Sequence, residues 1–229
     1  DLNKLPYRGQ RLEKARNLII ETIQKNTNLI SCDLFIMLDL DDMGTYRIEE
    51  KNILDSVKFL FSKKEIAAIF ANQLGTYYDM WTLRDKKYCK TDFWVEVLQF
   101  LMKNKNANEK ISKSNFEEAK KNIIDKKTYS FEKNHPPIQV DSAFGGFGIY
   151  KMKYVLKNKR KYSGTQIVNL KSKDGKKLKV NYQKCEHVNF NQGLTEQNLE
   201  LYILPNLINR DYEKNIFPPS ASINLIVKN

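Results

Sequence analysis

Cysteine is scarce in this sequence, and long apolar runs are absent. The three cysteines, Cys32, Cys89 and Cys185, lie far apart and form no Cys-x-x-Cys pair. A disulfide framework or a structural zinc site is therefore not expected, and a reducing compartment is the prediction. No stretch approaches the roughly 20 apolar residues of a membrane span, and no secretory leader is visible. We therefore predict a cytoplasmic protein without a membrane span.

Acidic residues are outnumbered by basic ones, which gives the 229-residue chain a formal charge of +12. A hydrophobic content of 41% with 11% aromatic residues indicates a folded globule rather than a disordered chain. The length suits one domain that can bury a proper core. The charge points to anionic partners, and nucleic acid, an anionic membrane surface and phosphorylated small molecules all fit it.

The stretch around which the chain is organised is an apolar run that ends in three carboxylates. Leu34–Leu38 is too short for a typical helix and predicts a strand buried on both faces of a sheet, and Asp39, Asp41 and Asp42 follow it. Ligands bind at that end of the strands in open α/β sheets. Several carboxylate oxygens there suit a hard divalent cation that also contacts a substrate's phosphates.

Two other interpretations of these acids stay open. An acidic turn can be a solvated cap of the next helix. A calcium loop is the sharper rival, because Asp39, Asp41, Gly44 and Glu50 match positions 1, 3, 6 and 12 of that pattern. Met43 breaks the pattern at position 5, and a strand rather than a helix precedes the acids.

Periodicity predicts an α/β domain with alternating helices and strands. Predicted helices cover residues 8–25, 48–61, 91–102 and 114–126, and predicted strands cover 34–38, 66–70 and 199–204, the last closed by Pro205. Asp174 and Gly175 between residues 166–170 and 178–182 predict a β-hairpin. The helix-strand-helix-strand order favours a mixed, mostly parallel sheet flanked by helices, with the hairpin added to it.

Two further segments stand out. One combines polar and aromatic residues, and the other contains a cluster of glycines. Asp79, Trp81, Arg84 and Asp85 directly follow a predicted strand, and such a mixture suits a sugar or a base, although aromatic residues near a strand are more often core. Residues 142–150 contain three glycines in four positions, which indicate either backbone close to a ligand or a tight structural turn.

Near the end, Glu186 and His187 stand side by side. Glu186 has the options of a general base or a ligand, whereas an isolated histidine is more often structural. Between Lys151 and Lys184, twelve lysines and arginines face one acid, Asp174. These basic residues either solvate the hairpin or meet an anionic acceptor.

Taken together, these blocks resemble a nucleotide-sugar-dependent glycosyltransferase of the GT-A fold, which is Rossmann-like, and most of all the relatives in large DNA viruses and some bacteria. The blocks occur in the family's order. They are ARN at 15–17, LDLDD at 38–42, YDMWTLRD at 78–85, SAFGGFGIYK at 142–151 and CEHV at 185–188. An Asp-x-Asp motif alone is weak evidence, but five blocks in sequence are more specific.

The resemblance implies a metal-dependent transfer of a sugar from a nucleotide-sugar donor to a hydroxyl of a glycan or protein-linked glycan. The metal is usually manganese, with magnesium as the alternative, and its implied ligands are Asp41, Asp39 and His187. Glu186 takes the place of the catalytic base. The implied donor and acceptor contacts are Arg11, Arg16, Asp79, Trp81, Arg84, Asp85, Asp141, Gly145 and Gly146. For a viral protein, the location is the host cytoplasm.

The resemblance leaves the nucleotide base unpredicted. Such folds begin with a strand and loop that grip the base, whereas this chain starts at the helix before the metal motif. We therefore predict a single GT-A-like domain over residues 1–229, with the nucleotide-binding strand either missing or upstream of Asp1.

Two other functions fit part of the sequence. Carboxylates beside a basic face also suit a metal-dependent nuclease or phosphotransferase. The charge alone suits a non-catalytic polyanion binder. Carboxylates at a phosphate site repel without a metal, so nucleic acid is the less favoured partner.

Overall fold

The computed structural model describes residues 2–40, 48–87, 89–127, 129–211 and 226–227. The helices are α1 (Arg8–Gln24), α2 (Thr27–Ile30), α3 (Glu50–Ser62), α4 (Phe93–Asn104), α5 (Lys113–Ile123), α6 (Met152–Lys157) and α7 (Glu186–Thr195). The strands are β1 (Leu34–Leu38), β2 (Ile66–Leu74), β3 (Ile138–Val140), β4 (Phe147–Lys151), β5 (Thr165–Lys171), β6 (Lys177–Gln183), β7 (Glu200–Asp211) and β8 (Ile226–Val227). Helices and strands alternate, so the predicted α/β class is confirmed.

The main sheet has five strands in the order β1-β4-β2-β7-β3. The prediction of a mostly parallel sheet is wrong. Only β2 and β7 pair in parallel, and the β1–β4, β2–β4 and β3–β7 pairs are antiparallel. The physical reason is that β4, which follows the glycine-rich segment, inserts between β1 and β2. The helical crossover α3 therefore joins two strands that point the same way but are not neighbours.

Strand β1 lies at the edge of this sheet, and its two faces differ in burial. Phe35 and Met37 are buried, whereas Ile36 is 51% and Leu38 is 43% exposed. The prediction of a strand buried on both faces is therefore wrong. A five-residue apolar run does not distinguish a central strand from an edge strand, because that difference depends on what the rest of the chain places beside it.

Helix α1 contacts α2 and α7, and the apolar pattern identifies its buried face only in part. Its buried residues are Gly9, Arg16 and Ile23, whereas Ile19 is 43% exposed. Seven-residue spacing places the three on one side of the helix. Gly9 is required there, because a Cβ atom at this position would lie 2.7 Å from the carbonyl oxygen of Gly164.

The second sheet contains the predicted hairpin. Strands β5 and β6 pair antiparallel, with Leu170 opposite Leu178, and Gly175 in the connecting turn has a φ of +83°. The inner face of this hairpin packs against α4 and α5 in a second apolar cluster. Strand β8 pairs with the outer edge of β6.

Helices α4 and α5 both begin at side-chain caps. Asp92 caps α4 by accepting a hydrogen bond from the Trp94 amide. Helix α5 begins with a capping box of Ser112 and Asn115. Asparagine at the third position replaces the usual Glu or Gln of that motif.

Strand β7 does not end at Pro205, contrary to the prediction. The pairing with β2 passes from Phe70–Ile203 to Asn72–Ile208, so the chain around the proline forms a large bulge. The Asn72 side-chain amide donates to the carbonyl oxygens of Pro205 at 3.2 Å and Phe131 at 2.8 Å. A proline cannot donate to the ladder, and the bulge accommodates it inside the sheet.

Among the described helices, none combines the length and apolarity that crossing a bilayer requires.

Candidate functional site

Three charged side chains meet where β1 ends. The Arg16 guanidinium, from α1, lies 2.7 Å from the Asp39 carboxylate and also forms an ion pair with Glu186, the first residue of α7. Arg16 and Glu186 are buried, and Asp39 is half-buried. The guanidinium also lies over the Phe144 ring, 5.2 Å from its centroid. One buried cation thus joins the end of a strand to the start of a helix.

The glycine segment between β3 and β4 forms one wall of this site. The Asp39 amide donates to the Gly146 carbonyl at 2.9 Å, and the Gly145 amide donates to the Asp79 carboxylate at 3.0 Å. Gly145 and Gly146 have φ values of +64° and +81°. A Cβ atom on Gly145 would lie 2.7 Å from the Ala71 carbonyl oxygen. Both glycines are therefore required by backbone geometry, which decides in favour of the structural turn at this position.

Three amide side chains fix the same turn. The Gly145 carbonyl accepts hydrogen bonds from Gln73 at 3.0 Å and from Asn209 at 2.6 Å. Asn191, on α7, donates to the Ser142 hydroxyl at 3.0 Å and the Ala143 carbonyl at 2.9 Å. The three amides are fully buried and hydrogen-bonded, so the turn is held rigidly between β2, β7 and α7.

Asp79 connects this turn to Cys185. Its carboxylate accepts a 2.7 Å hydrogen bond from the Thr82 hydroxyl, which lies 2.9 Å from the Cys185 sulfur. Burial raises the pKa of Asp79, and the hydrogen bond from Thr82 opposes that shift. Burial, with the Asp79 charge nearby, raises the pKa of the Cys185 thiol to about 12. Cys185 is therefore a protonated thiol at neutral pH rather than a reactive thiolate.

His187 lies beside Glu186 in an apolar pocket. It is 1% exposed, stacks on Phe144 with ring centroids 3.8 Å apart, and meets the edge of Tyr162. Burial and the nearby Arg16 charge hold the pKa of His187 well below its ordinary value, so the ring is neutral. Among the described residues, neither ring nitrogen of His187 has a hydrogen-bond partner, and the Tyr162 hydroxyl also has none. Buried polar atoms without a partner are costly.

The described residues do not by themselves make a metal site. In the part of the chain that the structure describes, no group of three or more His, Cys, Asp or Glu residues is placed to hold a metal ion. Asp39 and Glu186 share one cation, Arg16. Asp41 lies outside the described residues, as do the other acid of the motif, Asp42, and the calcium-loop position Gly44. A metal could bind a ring nitrogen of His187, which has no hydrogen-bond partner among the described residues. The described residues around His187 do not, however, fit a metal ion.

Several predicted site residues make their contacts elsewhere. The Arg84 guanidinium pairs with Asp92 at 2.6 Å and donates to the Leu83 carbonyl at 2.7 Å. Arg11 donates to the Leu5 carbonyl at 2.8 Å. The Arg84 charge is therefore paired within the fold, whereas Arg11 contacts the backbone of the segment before α1.

Trp81, Asp85 and Asp141 are likewise not joined to the Arg16 cluster. Trp81 packs against the apolar cluster of α4 and the hairpin, and the Asp85 backbone pairs with Cys89. Asp141 is exposed, and its amide donates to the Arg84 carbonyl at 2.7 Å. The residues that the structure does bring together are Arg16, Asp39, Asp79, Gly145, Gly146, Glu186 and His187.

Sequence reasoning missed Phe144 and Tyr162, the two rings that enclose His187. One signal was present at Asn17, next to Arg16 on α1. The Asn17 side chain donates to the Tyr162 carbonyl and accepts from the Tyr162 amide, both at 3.0 Å. Arg16 thus joins α1 to the charged cluster, and Asn17 joins it to the segment at Tyr162 that precedes β5.

No model of a known protein family matches the chain, and no curated protein matches it either.

Proposed function

We propose that this protein is a glycosyltransferase that moves a sugar from a nucleoside-diphosphate sugar to a hydroxyl of a glycan acceptor. The observation that supports it is the convergence of five separate sequence blocks at the ends of β1 and β2. Arg16, Asp39, Asp79, the Gly145-Gly146 turn and Glu186 come from distant parts of the chain and meet at one site. Ligands of open α/β sheets bind at such strand ends.

In this proposal, Glu186 is the general base. It accepts the proton of the acceptor hydroxyl as that oxygen attacks the anomeric carbon of the donor and the nucleoside diphosphate leaves. Its place in the first turn of α7 and its ion pair with Arg16 both stabilise negative charge there.

Asp79 and the glycine turn have a binding role in the proposal. The Gly145 amide holds the Asp79 carboxylate in place, and Asp79 offers that carboxylate to the hydroxyls of the sugar. A dependence on manganese or magnesium, with Asp41 and His187 among the ligands, stays a prediction. No step of the mechanism described here passes through a metal, because the described residues do not fit one.

The experiment is calorimetry of the full chain with a panel of nucleoside diphosphates, with and without manganese, followed by assay of nucleotide-sugar hydrolysis. The expected result is that one nucleoside diphosphate binds and that the corresponding nucleotide sugar is hydrolysed. Indifference to every nucleotide combined with cleavage of oligonucleotides would contradict the proposal and favour the nuclease. Retention of oligonucleotides without cleavage would favour the polyanion binder.

A further inference from the structure

A buried hydroxyl and a buried thiol lie between the Asp79 carboxylate and the start of α7. Thr82 is 1% and Cys185 is 5% exposed. The Thr82 hydroxyl contacts both Asp79 Oδ2, at 2.7 Å, and Cys185 Sγ, at 2.9 Å. Cys185 directly precedes Glu186, the first residue of α7. In the proposed mechanism, neither the hydroxyl nor the thiol has a role, although they join the segment of the sugar-binding acid to the helix that carries the base.

These three groups can hydrogen-bond in only one direction while Asp79 is ionised. A carboxylate only accepts hydrogen bonds, so the single proton of the Thr82 hydroxyl goes to Asp79. The Thr82 oxygen then has no proton left for sulfur, and it accepts the proton of the Cys185 thiol. The result is a Cys185–Thr82–Asp79 network in which the thiol donates to the hydroxyl and the hydroxyl donates to the carboxylate.

The same hydrogen bonds limit how much of the Asp79 carboxylate is left for a ligand. Oδ2 accepts from the Thr82 hydroxyl and from the Gly145 amide at 3.0 Å, and Oδ1 accepts from the Thr82 amide at 3.2 Å. A carboxylate has about four acceptor positions, so these donors of the described residues leave about one, on Oδ1. Asp79 is half-buried. The network therefore fixes the orientation of this carboxylate and leaves Oδ1 for one hydroxyl of a ligand.

We propose that Thr82 and Cys185 are positioning residues, which hold the Asp79 carboxylate in place against the start of α7 and thereby against Glu186. The effect on the reaction rests on the proposed function, whereas the hydrogen bonds themselves do not. Thr82 acts on donor binding through Asp79, and Cys185 acts on the chemical step through the first turn of α7. Loss of the thiol alone and loss of the hydroxyl should therefore change different kinetic constants.

The kinetic test is hydrolysis of UDP-glucose, UDP-galactose, GDP-mannose and GDP-fucose by the full chain, with manganese present. Thr82→Val removes the hydroxyl and should raise KM about tenfold, because Asp79 loses a charge-assisted hydrogen bond. Cys185→Ala leaves that bond and should lower kcat about fivefold while KM changes less than about twofold. Thr82→Ser and Cys185→Ser each keep a donor and should restore both constants. A smaller folded fraction would lower the apparent kcat without raising KM, so the change in KM is the result that a merely structural role would not give.

Two measurements test the network without any activity. The S–H stretching band of Cys185, identified by its loss in Cys185→Ala, should move to higher frequency in Thr82→Val, because a thiol that no longer donates has a stronger S–H bond. The band of Cys89, whose thiol donates to the Thr91 carbonyl at 3.1 Å, should not move. In urea denaturation, the double variant of Thr82→Val and Cys185→Ala should lose less stability than the two single losses together, whereas Thr82→Val with Cys89→Ala should be additive.

Three outcomes would overturn the inference. They are an unmoved Cys185 band in Thr82→Val, additive losses in the Thr82–Cys185 double variant, and an unchanged KM in folded, active Thr82→Val. The two proposals fail in different ways. An unmodified chain that hydrolyses none of the four nucleotide sugars, but shows the moved band and the non-additive losses, contradicts the proposed function alone. An active transferase whose KM ignores Thr82 contradicts this inference alone.

Discussion

Arg16 of α1 and Glu186 of α7 form a buried ion pair that joins two segments distant in the sequence. The same guanidinium binds Asp39 at 2.7 Å, so one positive charge faces two carboxylates. In a low-dielectric environment, a carboxylate left without its partner is strongly unfavourable. The cluster therefore requires Arg16 both for its geometry and for its electrostatics.

We expect Arg16→Met to destabilise the protein by about 3–5 kcal/mol, because the change leaves a buried charge uncompensated while keeping most of the side-chain volume. Urea denaturation followed by circular dichroism measures the loss. The matched control is Arg160→Met, whose ion pair with Glu196 is 39% and 55% exposed and should contribute less than about 1 kcal/mol. Similar losses in the two variants would show that Arg16 is not the centre of a buried charge cluster.

Glu186→Gln should reduce nucleotide-sugar transfer by about 10²- to 10⁴-fold, because an amide cannot accept the proton of the acceptor hydroxyl. The side-chain volume is unchanged, and the measurement is the turnover of a sample shown by circular dichroism to be folded at the assay temperature. The control is Glu196→Gln, which lies at the other end of α7, is partly exposed and should retain activity. Normal turnover by folded Glu186→Gln would remove this residue from the proposed mechanism.

The sequence patterns predicted which segments form helices and strands better than they predicted which strands lie next to each other in the sheet. Apolar periodicity located α3, β2, α4 and the β5–β6 hairpin, since these depend on local pattern and turn chemistry. It did not predict that β4 would lie between β1 and β2, because strand order depends on contacts between distant segments. Burial of Arg16 was missed for the same reason, since an arginine on a helix is usually solvated until a carboxylate from elsewhere covers it.

Some of the predicted site residues come together in the structure, and others make their contacts elsewhere. Asp39 directly follows β1, the glycine turn directly precedes β4, and Glu186 and His187 begin α7, so packing of these elements brings them together. Asp79 joins them from the segment that follows β2. Arg84 was predicted as a substrate ligand but binds Asp92. Sequence position alone could not distinguish a charged residue that faces a ligand from one that faces its own protein.

Gly145→Ala should destabilise the fold by more than the cost of its backbone conformation alone. A non-glycine residue at a positive φ costs about 1–2 kcal/mol, and here the new Cβ would also lie 2.7 Å from the Ala71 carbonyl oxygen. The control is Gly175→Ala, which has a φ of +83° but whose Cβ would meet nothing nearer than 3.9 Å. The difference between the two variants, measured by urea denaturation, isolates the steric contribution at the site, and equal losses would contradict the close approach.

The stability of the protein should fall as the pH decreases below the ordinary pKa of histidine, and His187 should cause part of that fall. Because burial and Arg16 hold the pKa of His187 well below its ordinary value, the folded state binds fewer protons there than the unfolded state. The free energy of unfolding then decreases by up to about 1.4 kcal/mol per pH unit between about pH 6.5 and the lowered pKa of the folded state. Above about pH 6.5 both states are neutral at this residue and the contribution to the pH dependence disappears.

His187→Phe tests this expectation, because a phenyl ring can still stack on Phe144 and carries no titrating group. Urea denaturation at pH 5, 6 and 7 should show a shallower loss of stability in the variant than in the unmodified chain. His135→Phe, at an exposed position, is the control and should keep the full slope. Asp79, whose pKa burial raises, stays in both proteins, so its opposite contribution cancels in the comparison. An unchanged slope in His187→Phe would mean that His187 is accessible to protons in the folded state, which would contradict its burial between Phe144 and Tyr162.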